Sequence, residues 1–266
     1  MENVGKPKRT FGRTLFYFLL AVIGLMVVSS LAGRFLGGEW DDTREKIAMV
    51  EINGMITDSR DIVRQISSYR RDDEIKAIIL RIDSPGGAVA PSQEIYDEVL
   101  RVRESKKKIF ASMGSLAASG GYYIAVAADR VFANPGTLTG SIGVIMAFSN
   151  AEELMHKIGL KPEVVKSGAF KDTGSPARKM RPEERKYLQK VVADVHEQFV
   201  AAVAKGRNMS TPQARKLADG RIFTGRQALK LDMVDELGGL EDAIKKLSET
   251  VGIKGRPKVI WEQPPK

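Results

Sequence analysis

A stretch of small and apolar residues, ASMGSLAASGGYYIAVAADRVFANPGTLTGSIGV (Ala111–Val144), organises the chain. It begins in an apolar, strand-like run, passes through a small-residue turn at Ser119, and enters an apolar helical run over 122–128. Such a turn exposes the serine hydroxyl, and the free N–H groups of the new helix can face a developing oxyanion. The local pattern A-x-S-x-G resembles the G-x-S-x-G nucleophile elbow without matching it. Taken alone, the pattern is more typical of an ordinary turn than of a catalytic serine.

Outward from this stretch, strand-like and helix-like segments alternate, which predicts an α/β domain with mostly parallel strand pairing. A long irregular segment is expected over 166–181. The predicted strands are Ile47–Ile52, Ala77–Ile82, Lys108–Met113, Arg130–Ala133, Ile142–Phe148 and Pro162–Val165. The predicted helices are Ser59–Arg70, Pro91–Ser105, Ala151–Ile158, Pro182–Gly206, Thr211–Leu217, Gly225–Leu231 and Leu240–Val251.

Composition excludes several kinds of site. The net charge of +9 arises from 42 basic and 33 acidic residues, but the basic residues are dispersed without interleaved aromatics, so nucleic acid is not the expected partner. The absence of cysteine excludes disulfides, thiol nucleophiles and thiolate metal sites. The two histidines, His156 and His196, lie in helix-like segments without other ligand-like residues nearby, so no metal or other cofactor is expected. A base for Ser119 is then more plausibly a desolvated lysine.

The N-terminal region carries an uncharged, largely apolar run of 18 residues, Leu15–Ala32, close to the minimum length of a membrane span. Basic residues precede it, which predicts a cytoplasmic segment over 1–13, a transmembrane anchor over 14–36 and a linker over 37–45. The alternative is a cleaved signal peptide, since Ser30-Leu31-Ala32 offers small residues at a suitable spacing. Both interpretations place the main domain outside the cytoplasm.

Several separated segments together resemble the signal peptide peptidase A family, in its short single-domain form. The resemblance extends from about Lys46 to Val251. The segments that carry it are IDSPGG (Ile82–Gly87), MGSLAASGGYYIA (Met113–Ala125), ANPGTLTGSIGV (Ala133–Val144), KSGAFKD (Lys166–Asp172) and DGRIFTGRQALKLDMVDELGG (Asp219–Gly239).

The resemblance implies a Clp-protease/crotonase-like fold, a spiral of β-β-α units, with the protease domain over 46–254 and a C-terminal strand and tail over 255–266. It also implies a serine endopeptidase with a Ser/Lys dyad that degrades signal peptides left in the membrane. Such a protein is expected to be a single-pass protein of the bacterial plasma membrane, with a cytoplasmic N-terminus and an extracytoplasmic catalytic domain.

The resemblance further implies a role for individual residues. Ser119 matches the family nucleophile, Lys171 the general base, and Ser141 the serine that hydrogen-bonds the lysine. Backbone N–H groups of the Gly86-Gly87 segment and of Gly120 match the oxyanion hole. No departure from the family pattern occurs in these motifs.

The chemistry of such a site makes further demands on its neighbours. A lysine serves as a base only if burial destabilises its ammonium form, and we expect Phe170 and nearby apolar strands to provide that burial. Asp172 is expected to point away from the site. Paired glycines at 86 and 87 would let the backbone approach a substrate closely.

Family members form rings in which serine and lysine come from neighbouring subunits, so the resemblance implies a ring-shaped homo-oligomer acting on extended apolar peptides. Three alternatives remain open at this stage. The chain could be a crotonase-like acyl-CoA enzyme, which would share the fold and the glycine loops. It could be a membrane-tethered, non-catalytic scaffold. It could also be a protease of the same kind that acts on membrane proteins or lipoproteins.

Overall fold

The computed structural model describes residues 10–36 and 44–261, and within 10–36 it describes the side chains of 16–29. Residues 37–43 of the predicted linker (37–45) and residues 1–9 of the predicted basic segment (1–13) therefore lie outside the described residues. The chain divides into two units, Met1–Arg44 and Glu45–Lys266. In the first unit, α1 (Thr10–Leu36) is a continuous helix whose described large apolar side chains are exposed. Among the described residues, no helix is both long and apolar enough to cross a membrane.

In the second unit, strands and helices alternate through residue 261. The strands are β1 (Lys46–Asn53), β2 (Ile75–Ser84), β3 (Lys108–Ala118), β4 (Arg130–Ala133), β5 (Leu138–Gly140), β6 (Ile222–Thr224), β7 (Glu236–Leu237) and β8 (Lys258–Ile260). The helices are α2 (Arg60–Arg71), α3 (Val89–Glu104), α4 (Gly120–Ala125), α5 (Glu152–Lys157), α6 (Pro182–Gly206), α7 (Thr211–Lys216), α8 (Gly225–Lys230) and α9 (Leu240–Val251).

The strands of residues 44–261 form one mixed sheet of the order β6-β5-β3-β2-β1-β8, with β4 pairing to both β3 and β7. Every pairing is parallel except that of β5 with β6, so the predicted α/β class and its mostly parallel pairing are confirmed. Helices cover both faces of the central strands, as expected for parallel strands that are buried on both sides.

Side-chain alternation along β1 explains how the two faces of the sheet are packed. Ile47 and Met49 face the smaller apolar cluster, which contains the buried residues Ala243 and Leu247 of α9. The residues that alternate with them belong to the larger cluster, which contains residues of α2, α3, α4 and α6. Because successive strand residues point to opposite faces, one apolar strand supplies both cores.

Strand β3 is longer than predicted because it changes partners along its length. Its first half pairs with β4, from Phe110, and its second half pairs with β5, from Leu116. The register with β2 shifts between the pairs Ile82↔Met113 and Ser84↔Ala117. This irregular second half carries the chain to the turn at residue 119.

Two of the predicted strands are wrong. The segments Ile142–Phe148 and Pro162–Val165 form neither strand nor helix. Their apolar side chains suggested a sheet, but these residues pair with no strand in the part of the chain that the structure describes, and most are exposed. The exposed apolar side chains of this region include Ile145, Met146, Phe148, Leu154, Ile158, Leu160, Val164, Val165 and Phe170. We call this set the apolar arm.

Candidate active site

Ser119 occupies a strained turn between β3 and α4. Its backbone has φ 52° and ψ −120°, a conformation that a residue with a Cβ rarely adopts. The turn is held by two hydrogen bonds: the Ser119 N–H donates to the Gly140 carbonyl at 2.8 Å, and the Tyr123 N–H donates to the Ser119 carbonyl at 2.8 Å. Strain of this kind costs about 1–3 kcal/mol and concentrates at functional sites. The turn thus has the conformational signature of a nucleophile elbow.

The loop after β2 lies directly against this turn. Gly86 has φ +95°, and a Cβ placed on it would lie 2.6 Å from the Gly120 nitrogen and 2.8 Å from the Ser119 Cβ. Ser84 fixes the loop, because its Oγ accepts the Gly86 N–H at 3.0 Å and donates to the Gly54 carbonyl at 2.6 Å. Only glycine satisfies both the backbone conformation and the close approach. The N–H of Gly86 itself is occupied by Ser84.

Gly87 directs its N–H toward the serine turn. It forms a parallel bridge with Ile56, in which the Ile56 N–H donates to the Gly86 carbonyl at 2.9 Å and the Ala88 N–H to the Ile56 carbonyl at 2.7 Å. In such a bridge the N–H of the central residue, here Gly87, points to the edge opposite the bridged partner, Ile56. A Cβ on Gly120 would lie 3.3 Å from the Gly87 nitrogen, so the two residues adjoin at that edge.

Ser141 directly follows Gly140, whose carbonyl accepts the Ser119 N–H. It too has a positive φ, of 51°, and its N–H donates to the Arg221 carbonyl at 2.8 Å. The pairing of β5 with β3 places Gly140 opposite Ala118, so Ser141 emerges beside the turn. Both serines line the same cleft. Of the six predicted site residues, five are therefore brought together: Ser119, Ser141, Gly86, Gly87 and Gly120.

The cleft above Ser119 has a volume of about 730 Å³ and a largely apolar wall. One side is formed by a face of α6 that the sequence analysis did not assign to the site. The available signal was the helical spacing i, i+3, i+4, i+7, i+10, which puts these residues on one face. They are Gln189, Val192, Ala193, His196 and Phe199.

His196 is half-buried on its helix, as the sequence suggested, and its Nε2 has no hydrogen-bond partner among the described residues. On the same wall, Phe199 meets Tyr123 edge to face, with ring centroids 5.0 Å apart. The wall thus combines aromatic and aliphatic surface with few polar groups, which suits an apolar ligand.

Comparison with known proteins identifies the chain's relatives. The model of peptidase family S49 matches residues 101–254. A Synechocystis protein named as a protease, slr0021, is 46% identical over 202 residues, which cover 76% of this chain and 73% of that protein. The chain belongs to peptidase family S49.

Other relatives of this S49 peptidase include an Enterococcus faecium protein named as the signal peptide peptidase SppA. It is 37% identical over 220 residues, covering 78% of this chain and 64% of the relative. A Methanocaldococcus jannaschii protein named as a protease, MJ0651, is 34% identical over 266 residues, covering 92% and 83%. The predicted resemblance to the SppA type is thereby confirmed, and a serine-type peptidase is favoured over an acyl-CoA enzyme.

The fold also resembles that of a solved structure, the 1510-N membrane-bound stomatin-specific protease. The TM-score is 0.54 at 18% sequence identity, and the match covers 84% of this chain and all of the other. At this level of identity the likeness concerns the fold alone. It supports the α/β class that the sequence suggested.

Lys171, the sixth predicted site residue of the S49 peptidase, lies apart from the other five. Its side chain is exposed and is not among those that line the cleft. Its backbone N–H donates to the Gly168 carbonyl at 3.1 Å in a tight turn. The neighbouring Phe170 is itself half-exposed and packs against Tyr187 of α6, with ring centroids 5.4 Å apart. The expectation that Phe170 and apolar strands bury Lys171 is therefore wrong for the single chain.

The turn that carries Lys171 is tied to the start of α6 by a cluster of charges. The Arg178 guanidinium reaches both oxygens of Glu184, at 2.6 and 2.9 Å, and its Nε donates to Asp172 at 2.9 Å. Lys166 donates to the other oxygen of Asp172 at 2.5 Å. Hydrogen bonds from Arg178 hold the pKa of Asp172 and of Glu184 far below their usual values, with further hydrogen bonds from Lys166 and Arg181 respectively. Asp172 is thus engaged in ion pairs.

This cluster predicts a pH-dependent contribution to stability. A carboxyl whose pKa is lowered by folding stabilises the native state above its unfolded pKa, near 4.5 for Glu184, and the contribution fades as the pH falls below that value. We expect Glu184→Gln to lower the melting temperature at pH 7, and the gap to wild type to narrow between about pH 5 and pH 2. Thermal unfolding of both proteins, measured from neutral pH down to about pH 2, checks this prediction.

Glu197→Gln is the matched control for that measurement. Glu197 lies on the same helix as Glu184 and pairs with Arg215 of α7, but both of these side chains are about half-exposed. Exposed ion pairs contribute little because water screens them, so this variant should melt close to wild type at every pH. A gap for Glu184→Gln that stays constant from neutral to acid pH would contradict the assignment.

Proposed function

We propose that the chain is a membrane-tethered serine endopeptidase that hydrolyses signal peptides remaining in the bilayer after secretory proteins are processed. The observation that carries the proposal is the strained turn at Ser119, which opens into an apolar cleft beside two backbone N–H groups. An apolar wall suits the side chains of a signal peptide, and the turn presents the Ser119 hydroxyl to the backbone of that peptide.

The proposed reaction is acyl transfer through Ser119. Its Oγ attacks the scissile carbonyl carbon while Lys171, as a free amine, takes the hydroxyl proton. The N–H groups of Gly87 and Gly120 stabilise the resulting oxyanion, because they point to a common edge and Gly120 is the first residue of α4, without an intrahelical partner. Lys171 then protonates the leaving amine, and water hydrolyses the acyl-enzyme with Lys171 again as the base. Ser141 orients the lysine amine by a hydrogen bond.

In this proposal Lys171 reaches the cleft of a neighbouring subunit. Within one chain it is exposed and outside the cleft, whereas the other five residues are together. The apolar arm, which leads to Lys171, exposes more large apolar side chains than an isolated chain would keep in water. Packing this arm against a second copy in a ring would cover those side chains. The same contact would desolvate the lysine and favour its free amine.

Membrane tethering is proposed to occur through the N-terminal segment. The apolar run Leu15–Ala32 and the exposed apolar side chains described on α1 support it, as do the basic residues that precede the run. The proposed arrangement is a single pass in the bacterial plasma membrane, with the N-terminus in the cytoplasm and the catalytic unit on the other side. Signal peptides left in the bilayer would then share the membrane to which the catalytic unit is tethered.

The substrate is proposed to bind in an extended conformation. The loop at Gly86-Gly87 already forms a bridge with Ile56, and an extended peptide could continue this backbone pairing on the free edge. Backbone pairing is tolerant of sequence, and the cleft wall then selects apolar side chains. Lipoproteins and membrane proteins with extended apolar segments present the same chemistry.

Mixed assemblies test the shared site. Ser119→Ala and Lys171→Ala subunits are each expected to be inactive on a synthetic signal peptide. Assembled together, they should recover at least about a tenth of wild-type turnover, because some interfaces pair an intact serine with an intact lysine. Mass measurement of the intact assemblies confirms that mixing took place.

The controls separate the possible failures. Mixing Ser119→Ala subunits with one another should give no recovery. Proven mixed assemblies without activity would contradict the shared site but not the peptidase. An assembled wild type that cleaves no signal peptide would contradict the proposed substrate, and loss of all peptide hydrolysis would favour the scaffold alternative.

A further inference from the structure

The charge cluster beside Lys171 is built more rigidly than an exposed loop requires. The Glu184 side chain is 0% exposed, and Asp172 and Arg178 are only 12% and 28% exposed. Glu184 accepts from both terminal nitrogens of Arg178, from Arg181 Nη2 at 2.7 Å, and from the Arg181 backbone N–H at 2.9 Å. A buried carboxylate with this many charge-assisted donors fixes the position of its partners. The partner that extends into the lysine turn is Arg178.

Both neighbours of Lys171 are fixed by contacts with this region. On one side, Phe170 packs against Tyr187 of α6. On the other side, the Asp172 carboxylate is bound by Arg178, whose Nη2 also donates to the Asp172 carbonyl at 3.2 Å. The Lys171 side chain is therefore the free member of a three-residue segment whose flanking residues are anchored.

We propose that Arg178, held between Asp172 and Glu184, is a positioning residue that sets where the Lys171 side chain projects for catalysis. The inference rests on the proposed function, in which Lys171 is the base. Arg178 does not line the cleft of its own chain, and its guanidinium contacts the lysine turn at Asp172 and the start of α6 at Glu184, so we expect it to act through the lysine turn. A base displaced by about 1 Å loses much of its efficiency, which can lower the rate about 10²-fold.

The charges of the cluster bear on the lysine once Arg178 is removed. Three cations, Lys166, Arg178 and Arg181, face three carboxylates, Asp172, Glu184 and Glu183, the last of which pairs with Arg181 at 3.6 Å, so the formal charges balance. Without Arg178 the carboxylates exceed the cations by one beside Lys171, and an excess of negative charge favours an ammonium form. The other ionisable groups packed around this turn are Tyr187 of α6 and Glu152 of α5, which accepts the Lys179 N–H.

The first experiment compares wild type, Arg178→Met and Arg178→Lys on a synthetic signal peptide. We expect Arg178→Met to lower kcat about 10²-fold with little change in KM, because the substrate cleft is untouched. The acid limb of its pH–rate profile should move to higher pH, since the base must lose its proton to act. Arg178→Lys keeps the positive charge and should restore part of the rate. Arg215→Met, which removes an exposed ion pair between α7 and α6, should match wild type.

The second experiment separates positioning from general destabilisation, using two mixtures that contain the same three substitutions. In the first, Arg178→Met/Ser119→Ala subunits are mixed with Lys171→Ala subunits, so the complete sites use the lysine beside the altered arginine. In the second, Arg178→Met/Lys171→Ala subunits are mixed with Ser119→Ala subunits, so the complete sites use an unaltered lysine turn. We expect low activity in the first mixture and recovery in the second.

The outcomes distinguish this inference from the proposed function. Equal loss in both mixtures, when the mixture of Ser119→Ala and Lys171→Ala subunits with an intact Arg178 recovers activity, would show that Arg178 only supports folding or assembly, and would overturn the inference. So would an Arg178→Met enzyme with unchanged kcat and pH profile. An inactive wild type would overturn the proposed function and, with it, this inference.

Discussion

Replacing Ser119 by alanine is expected to reduce kcat for signal-peptide hydrolysis by about 10⁴-fold or more. The reason is that Ser119 alone occupies the tip of the strained turn, beside the Gly87 and Gly120 N–H groups and at the base of the cleft. Without its oxygen, no acyl-enzyme can form, and only the oxyanion donors and substrate binding remain. Steady-state hydrolysis of a fluorogenic signal peptide measures the effect.

Ser115→Ala is the matched control for this substitution. Ser115 lies on β3, four residues before Ser119, but its side chain is exposed and outside the cleft. This variant should retain wild-type turnover. The melting temperature of Ser119→Ala should remain near that of wild type or rise, since a strained catalytic residue is often destabilising. Substantial turnover by pure Ser119→Ala protein would contradict the assignment of the nucleophile.

Replacing Gly86 by alanine is expected to lower kcat about 10²- to 10³-fold, the loss associated with one misplaced oxyanion donor. The added Cβ would lie 2.6 Å from the Gly120 nitrogen and 2.8 Å from the Ser119 Cβ, well inside normal contact. The φ of +95° adds backbone strain for any residue with a side chain. The loop must shift, and with it the Gly87 N–H.

Gly136→Ala provides the comparison for this second substitution. An added Cβ at Gly136 has no atom within 4 Å, so alanine there should be tolerated in both activity and stability. For Gly86→Ala, kcat and the melting temperature should be measured together. A fully folded Gly86→Ala protein with normal kcat would contradict the proposed geometry of the oxyanion hole.

The central fold was predictable because its signals are local. The apolar runs of β1, β2 and β3 are long, and the helices that separate them have clear amphipathic spacing. The short strand β5 escaped prediction because it has three residues, including a threonine and a glycine, and exists only through its pairing with the second half of β3. Conversely, Ile142–Phe148 has the composition of a strand but, among residues 10–36 and 44–261, no neighbouring strand to pair with.

The site was predictable in part, and for different reasons at different residues. The motif around Ser119 is contiguous, so its turn could be anticipated, although its significance came only from the family resemblance. Lys171 has no distinguishing local sequence context, and its exposure in the single chain shows why spacing alone could not identify it. The cleft wall on α6 and the Arg178–Glu184 contact depend on tertiary packing, which periodicity indicates only as a helical face.

Ser119 is expected to form a covalent acyl-enzyme with the substrate during turnover. We would incubate the assembled protein with a signal-peptide ester, quench with acid during turnover, and map the modified residue by mass spectrometry of its peptides. We expect an added mass equal to the acyl portion of the substrate, located on Ser119 and absent from the Ser119→Ala variant. An acyl group on another residue, or hydrolysis that is unchanged in the Ser119→Ala variant, would contradict the assignment of Ser119 as the nucleophile.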